Sequence, residues 1–429
     1  MNVAEAPVAA APQASIPVTL AVRFIGTPRA YWRLLFRGAA RLAITLGIYR
    51  FWFATDIRRF LWSNTEIAGE TLEYSGTATE LLIGFLIAIA VLVPLNLILF
   101  IAALSLGPVG QFASTLSFPL LFFLGQFAIF RARRYRLTRT IYRGVRCHQD
   151  GSAIRYAICA SFWWILIVLT LGLAYPFAQS RLERFKLRHT YFGNLQGRFE
   201  GSGWRLFFRG LVMWLIVVGP LAFALIFAVA AVDWDQVVTA GSASSDGTDF
   251  LNRLEKTSPG LYAALGILIG AIFFSLLMAI VLFPVFQAMV LRWWISGLRF
   301  GGLTIRSQLR TGLIYGAYLR FLWYALLFST AASIVGVIAY YALVAALGAF
   351  GKPDLVEAAA AAGGVVSYVV VMLGYSAIYQ GTVKLAFWQG GMESIQLEGI
   401  AVLDAVKAEG GPSSAVGEGL ADALNVGGF

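Results

Sequence analysis

Residues 45–84, beginning TLGIYRFW, align without a gap to residues 170–209, beginning TLGLAYPF. The shared positions include Thr45/Thr170, Leu46/Leu171, Gly47/Gly172, Arg59/Arg184, Phe60/Phe185, Thr65/Thr190 and Gly76/Gly201. A second match, WRLLFRG at 32–38 against WRLFFRG at 204–210, differs at one position in seven. Similarity at a constant offset marks duplicated structural units rather than chance composition. The chain must therefore fold into parallel internal repeats, which constrains architecture and leaves substrate open.

The repeat divides further. A glycine precedes each helical stretch at Gly26, Gly76, Gly151 and Gly201, in the contexts FIGTPRAYW, YSGTATELL, QDGSAIRYA and FEGSGWRLF, with a related position near Gln308. Upstream of three of these stands a companion motif, RRFLWSNTEIAG at 58–69, RRYRLTRTIYRG at 133–144 and ERFKLRHTYFGN at 183–194, and LRWWISGLRFGG at 291–302 is a degenerate fourth copy. The Arg-aromatic start suits the last turn of a helix at a membrane surface. The following runs place Leu72/Tyr74 and Leu195/Phe199 at even spacing between glycines, which predicts short extended segments there.

Hydrophobic residues make up 59% of the chain and charged residues 13%, and long apolar stretches recur, so this is a polytopic membrane protein rather than a soluble helical one. Spans are expected near 81–104, 112–130, 205–232, 261–291, 312–347 and 361–388. Two further segments, 34–54 and 153–178, are shorter and carry TLG, so each is one helix or a re-entrant pair. The equivalence of Gly47 and Gly172 favours a break, because uninterrupted helices would put the motifs at 133–144 and 183–194 on opposite sides of the membrane despite their shared arginines. The expected fold is thus an all-α polytopic membrane protein with internal parallel repeats: six clear transmembrane helices plus two broken or re-entrant segments, six to eight crossings, with short extended segments at the cytoplasmic face. The expected divisions are a flexible tail at 1–20, a first membrane repeat at 21–150, a second at 151–310 with an outer loop at 233–258, a transmembrane hairpin at 311–392, and an acidic, Gly-rich tail at 393–429.

The net charge of +11 is concentrated, with arginines crowding 131–209, while the connection at 105–111 is uncharged and 233–258 is rich in Ser, Gly and Asp. Basic loops stay cytoplasmic, so the Arg segments and both termini are expected inside and 105–111, 233–258 and 348–360 outside; position 245 should then label from outside and position 140 should not. The same rule accounts for the charge without nucleic acid. MNVAEAPVAAAPQASIPV has neither a basic start nor a continuous apolar core, so no cleaved signal is expected. Cys147 and Cys159 imply no disulfide framework, and with His148 and His189 they lack ligand spacing, so neither a metal nor any other cofactor is expected.

TLGIYRFW at 45–52, RRFLWSNTEIAGETLEYSGTATELLIGF at 58–85 and the weaker copies downstream resemble the YjgN-like family of bacterial inner-membrane proteins, a domain family of unknown function. The resemblance covers most of 22–392. It implies an uncharacterised multi-pass protein of the bacterial cytoplasmic membrane and brings no catalytic residues.

No phosphate loop, HExxH, CxxC or Ser/His/Asp constellation is present, which argues against an enzyme. Polar residues inside apolar stretches are the better candidates, since ionisable groups at membrane depth are costly and face a bundle interior or an aqueous path. Arg320, Lys384, Glu80, Asn96 and Arg41 are the candidate interior or pathway residues, with Arg37 close by. Arg58, Arg59, Arg133, Arg134 and Arg184 are the candidate repeat residues of the cytoplasmic interface. Lys384 stands near a polar exit and can snorkel, whereas Arg320 precedes a long apolar run, so Arg320 is expected to be the deeper of the two and to meet carbonyls, Glu80, or an anionic ligand. Parallel repeats and broken helices suit a transporter or channel-like permease for an unknown solute. The alternative is a lipid-binding or envelope-organising protein whose Arg/Trp/Tyr belt binds anionic headgroups.

Overall fold

The computed structural model describes residues 20–105, 107–230, 246–257, 259–349 and 354–411, with isolated positions between 233 and 242. Two short helices come first, α1 (Pro28–Ile44) and α2 (Arg50–Ser63), followed by α3 (Ala78–Ser105) and α4 (Pro108–Thr138). A second short pair, α5 (Ala153–Leu169) and α6 (Tyr175–Arg188), precedes α7 (Gly203–Ala230), α8 (Gly247–Thr257) and α9 (Pro259–Ser296). Then come α10 (Thr311–Ala349) and α11 (Asp354–Tyr379), which continues through one π-helical turn (Gln380–Lys384) into α12 (Leu385–Glu393). Six helices are long and apolar enough to cross a membrane, and each coincides with an expected span: α3, α4, α7, α9, α10, and α11 with its continuation. The chain is a multi-pass membrane protein. The expected tail at 1–20, apart from Leu20, lies outside the described residues, as do position 245 and residues 412–429.

The marker glycines sit two residues before four helix starts, and the residue between is in each case a Ser or Thr cap. Thr27, Thr77, Ser152 and Ser202 accept from the backbone N–H groups of Ala30, Glu80, Arg155 and Arg205 at 3.4–3.5 Å, satisfying donors that a helix start leaves open. At Gly26, Gly76 and Gly201 the aromatic ring two residues upstream folds over the glycine. A Cβ there would come within 2.7, 2.6 and 2.4 Å of the Phe24, Tyr74 and Phe199 rings, so only glycine fits.

Both TLG segments break their helices with one backbone geometry. Leu46 and Gly47 have φ of 48° and 94°, and Leu171 and Gly172 have 50° and 93°. In each, the threonine hydroxyl donates to the carbonyl four residues back, Thr45 to Arg41 at 2.8 Å and Thr170 to Leu166 at 2.7 Å. It also accepts the N–H four residues on, from Tyr49 and Ala174, both at 3.0 Å. The turns sit low in the bundle. Trp214 donates its indole N–H to the Leu171 carbonyl at 2.7 Å, and it stands eleven residues into α7, about 16 Å at 1.5 Å per residue, whereas the whole of α7 rises about 42 Å. On the other pair, Arg50 lies over the Phe85 ring, 4.8 Å from its centroid, seven residues into α3.

The helices form the expected all-α multi-pass frame, and the short extended segments between them pair into sheets. Twelve short strands lie between the helices: β1 (Leu20–Ala21), β2 (Arg23–Phe24), β3 (Thr65–Ile67), β4 (Glu70–Thr71), β5 (Glu73–Tyr74), β6 (Thr140–Tyr142), β7 (Val145–Gln149), β8 (Thr190–Phe192), β9 (Leu195–Phe199), β10 (Leu298–Phe300), β11 (Leu303–Ser307) and β12 (Ile395–Glu398). Nine form an antiparallel sheet in the order β1-β12-β11-β10-β9-β8-β7-β6-β5, and β2-β3-β4 form a second. The two sheets share chain segments, because β1 runs through Val22 into β2 and β4 through Leu72 into β5. Val22 still donates to Ile395 (3.4 Å) and Ile25 already to Asn64 (2.9 Å), while Leu72 donates to Thr65 (3.1 Å) and Ser75 to Arg139 (2.9 Å). Counting Leu20–Phe24 and Glu70–Tyr74 once each, ten segments are linked in a closed ring, the two shared segments passing from one sheet to the other. Hydropathy is blind to such strands, since two to five residues paired with distant partners carry no helix-like period.

The helices follow the same circuit. Each of α1 to α6 packs on its successor, α7 on α9, α9 on α10, α10 on α11, and α11 returns to α1. Far from the strands the long pairs separate: positions 333–342 of α10 and 361–370 of α11 are exposed at every residue, hence on every side. A helix apolar and uncovered all round is a lipid-facing helix.

The chain beyond β12 belongs to the ring rather than to a tail from 393. A 3₁₀ turn, Ile400–Ala405, sends Ile400 and Leu403 into a cluster with Val22, Leu303 and Leu397. The segment then crosses the strand turns. Asp404 accepts from Arg143 at 2.8 Å, Lys407 exchanges backbone and side-chain bonds with Asn194 (3.2 and 3.0 Å), and Gly410 lies against His148.

Candidate functional site

The companion motif is a helix end followed by a three-residue strand and a tight turn, in all four copies. Its second residue is a clasp. Arg59, Arg134 and Arg184 each donate to the carbonyl of the marker glycine seventeen residues on, Gly76 (3.0 Å), Gly151 and Gly201 (3.5 Å). The guanidinium thereby ties the end of one helix to the start of the next across the intervening hairpin. These three predicted residues are structural.

The first residue of the motif points elsewhere. Arg58 is buried and donates to the Tyr74 hydroxyl at 3.2 Å. Arg133 lies 3.9 Å from the Glu183 carboxylate and donates to Thr190 at 3.5 Å. Glu183 occupies the corresponding place in its own copy, pairs with Lys186, and accepts the Trp294 indole N–H at 2.9 Å. Lys384 holds the same place at the end of the last span: Trp388, four residues on, donates to Thr65 at 3.0 Å, as Trp62 donates to Thr140 at 3.0 Å. The two indoles lie 4.6 Å apart. The charges of Arg58 and Arg136 act on Lys384, and those of Arg133 and Arg136 on Lys186, so Arg136 joins both halves of the cluster. Five cations and one carboxylate thus converge from α2, α4, α6 and the π turn, where the helix ring meets the strand ring.

The electrostatics follow from that crowding. Burial alone would push the Glu183 carboxyl up, but Lys186 and Arg133 outweigh it and hold it below the usual carboxylate range. Burial pushes the Lys186 ammonium down, Arg133 and Arg136 add to the effect, and Glu183 opposes it. A site with this excess of cationic groups in a low-dielectric setting is suited to an anion, above all one with several acceptor oxygens.

The other predicted residues are dispersed. Glu80 pairs with Arg139 at 2.6 Å and accepts from the Tyr135 hydroxyl at 2.8 Å, so its partner is not Arg320. Arg320 is exposed, its Nε donating to the Gly316 carbonyl of its own helix at 3.1 Å; Lys384 is half-buried and is the residue that joins the cluster. Asn96 is exposed and donates to the Leu92 carbonyl at 2.8 Å, inside its own helix. Arg41 donates to the Tyr49 hydroxyl at 2.7 Å across the first TLG turn, and that hydroxyl donates to Asp56 at 3.2 Å. With Arg29, Arg33 and Arg37 it forms an exposed stripe at four-residue spacing along α1.

Sequence reasoning missed Glu183, Lys186, Arg136 and Trp294. The signal was present: the motif copies read RR, RR and ER, and the lone acid stands where the others carry arginine. Cys147 is half-buried in β7 opposite Phe192, and its partial removal from water pushes its thiol up to about 12. His148 stacks on Tyr191 (5.0 Å, 8°), and His189 bonds the Phe185 carbonyl at 2.7 Å. Among the described residues no group of three His, Cys, Asp or Glu side chains is disposed to hold a metal.

Residues 19–423 match the family model described as bacterial protein of unknown function (DUF898), and the chain belongs to that family. Neither the curated proteins nor the solved structures offer a match.

Proposed function

We propose, from that membership and this geometry, that the chain is a lipid-handling protein of the bacterial cytoplasmic membrane that binds anionic amphiphiles at the basic cluster. The observation that carries the reading is the run of cationic side chains from Arg58 and Lys384 through Arg136 to Lys186 and Arg133, the last two on Glu183, at the base of helices that are apolar all round. Two features support lipid over an aqueous solute. The long pairs stand apart far from the strands, so the space between them is apolar and open sideways, and the short pairs α1–α2 and α5–α6 read as re-entrant elements that stop within one leaflet. No enzymatic step and no nucleic-acid partner is proposed.

Leu20 and the described chain after β12 lie with the strands, and the arginines on that side support its placement in the cytoplasm. The recurring cap, clasp and hairpin support internal parallel repeats of one helix-pair unit. The experiment is lipid retention. After extraction into mild detergent, wild type is expected to keep phosphatidylglycerol in preference to phosphatidylethanolamine, and Arg133→Gln with Lys384→Gln to lose about tenfold of that preference. Unchanged retention by the double variant defeats the reading. A permease for a small anion is the second reading, supported by the linked circuit of strands beneath the helices and by the π turn at Lys384, a feature frequent at functional sites. Anion efflux from protein-loaded vesicles would favour it.

A further inference from the structure

Beside the α5–α6 turn lies a cavity of about 330 Å³, walled by Leu173 and Tyr175 at the start of α6, Phe207, Trp214 and Val218 of α7, and Phe286 of α9. It exists because α5–α6 stops short and leaves the upper faces of α7 and α9 without a neighbour. Its volume falls in the range of ligand pockets, yet its walls are apolar, so neither water nor a polar solute would find partners there. The Trp214 N–H at its edge is already given to Leu171. At the lower edge the charge of Glu183 acts on Tyr175; Glu183 stands about two turns down α6 from Tyr175, where it pairs with Lys186, one turn further on, and with Arg133 of α4. An apolar slot above a cationic cluster matches one class of molecule.

We infer that this cavity takes one acyl chain of an anionic phospholipid whose headgroup reaches the basic cluster below, an inference that rests on the lipid reading above. Gly210 and Ala279 also border the slot. A Cβ at Gly210 meets only the Met289 methyl, at 3.7 Å, so a larger side chain there has room to enter the slot without a backbone clash.

The test uses the full chain in phosphatidylcholine vesicles carrying a trace of phosphatidylglycerol with a diazirine on its acyl chain, or the same tag on phosphatidylcholine. After irradiation, labelled peptides are mapped by mass spectrometry. Labelling is expected to concentrate on 204–218, to be stronger with the anionic probe, and to fall about tenfold in Gly210→Leu and, made separately, Ala279→Phe. Two substitutions from different helices keep the comparison available if one of them fails to fold. Labelling spread evenly over the six spanning helices, or unchanged in a folded variant, overturns the cavity. Equal labelling by both probes, lost in the variants, overturns the link to the basic cluster and leaves the acyl slot standing.

Discussion

The two short helix pairs are the same device with different chemistry. Each joins a helix of 17 residues to one of 14 through a TLG turn of matching φ values, and each ends in an arginine clasp on a marker glycine. On α1, however, Arg29, Arg33, Arg37 and Arg41 form an exposed stripe, whereas α5 carries only Arg155 and borders an apolar cavity. On the second helices, Arg58 bonds a neutral Tyr74 hydroxyl where Glu183 holds two cations and an indole. The backbone is reproduced by a handful of residues with special conformations, namely cap, turn and clasp. Everything else on these pairs is free to diverge, and there the chemistry resides.

The sharpest test of that contrast is Glu183. Replacing it with Leu leaves Lys186 and Arg133 without their shared carboxylate in a buried setting and should cost about 3–5 kcal/mol, read as a loss of thermal stability in detergent. Arg58→Leu, the matching change, removes a bond to a neutral hydroxyl and should cost about 1–3 kcal/mol. Equal losses would break the contrast. The same pairing sets a pH dependence. Because the Glu183 carboxyl is held below its unfolded value of about 4.3, its stabilisation is complete above that pH and is lost as pH falls toward the depressed folded value. Wild type should therefore lose more stability between pH 6 and 3 than Glu183→Gln does.

Next in size is the arginine stripe. At about 1 kcal/mol per basic residue near an anionic surface, changing Arg29, Arg33, Arg37 and Arg41 together to Gln should weaken retention of anionic lipid by about 3–4 kcal/mol, without a comparable drop in thermal stability. Arg155→Gln on the other pair should change retention by about 1 kcal/mol or less. Comparable effects would mean that both pairs meet headgroups alike.

Smaller and equal effects are expected where the pairs are alike. Gly47→Ala and Gly172→Ala each force a Cβ into a left-handed backbone and should cost about 1–2 kcal/mol, with the two values agreeing within error in thermal melts. The clasps come last. Arg59→Met and Arg184→Met each remove a bond to a glycine carbonyl and should cost about 1 kcal/mol. A large difference within either set would show that one pair is held by contacts the other lacks.

Much of the scaffold was readable in the chain because its signals are local. Hydropathy accumulates over about 20 residues, so each of the six spans was found. TLG breaks a helix through three consecutive residues, and the marker glycines act within two residues of a cap. The companion motif likewise revealed its helix end and its extended run.

The residues that make the candidate site were not readable in the same way. Arg320 and Lys384 have similar apolar neighbours in sequence, yet one turns back on its own helix and the other meets Arg58 and Arg136, because depth depends on which helix stands alongside. Glu80 could have served several arginines, and packing chose Arg139. What the sequence determined by itself is where this chain crosses, breaks and caps, since each of those is settled by residues in contact along the backbone. The closure of the strand ring through Leu20–Phe24 and Glu70–Tyr74, and the gathering of first-position charges at its rim, were decided only by tertiary structure. Strands of two to five residues and isolated charges gain their stability from partners tens to hundreds of residues away, and no local pattern encodes which partner that is.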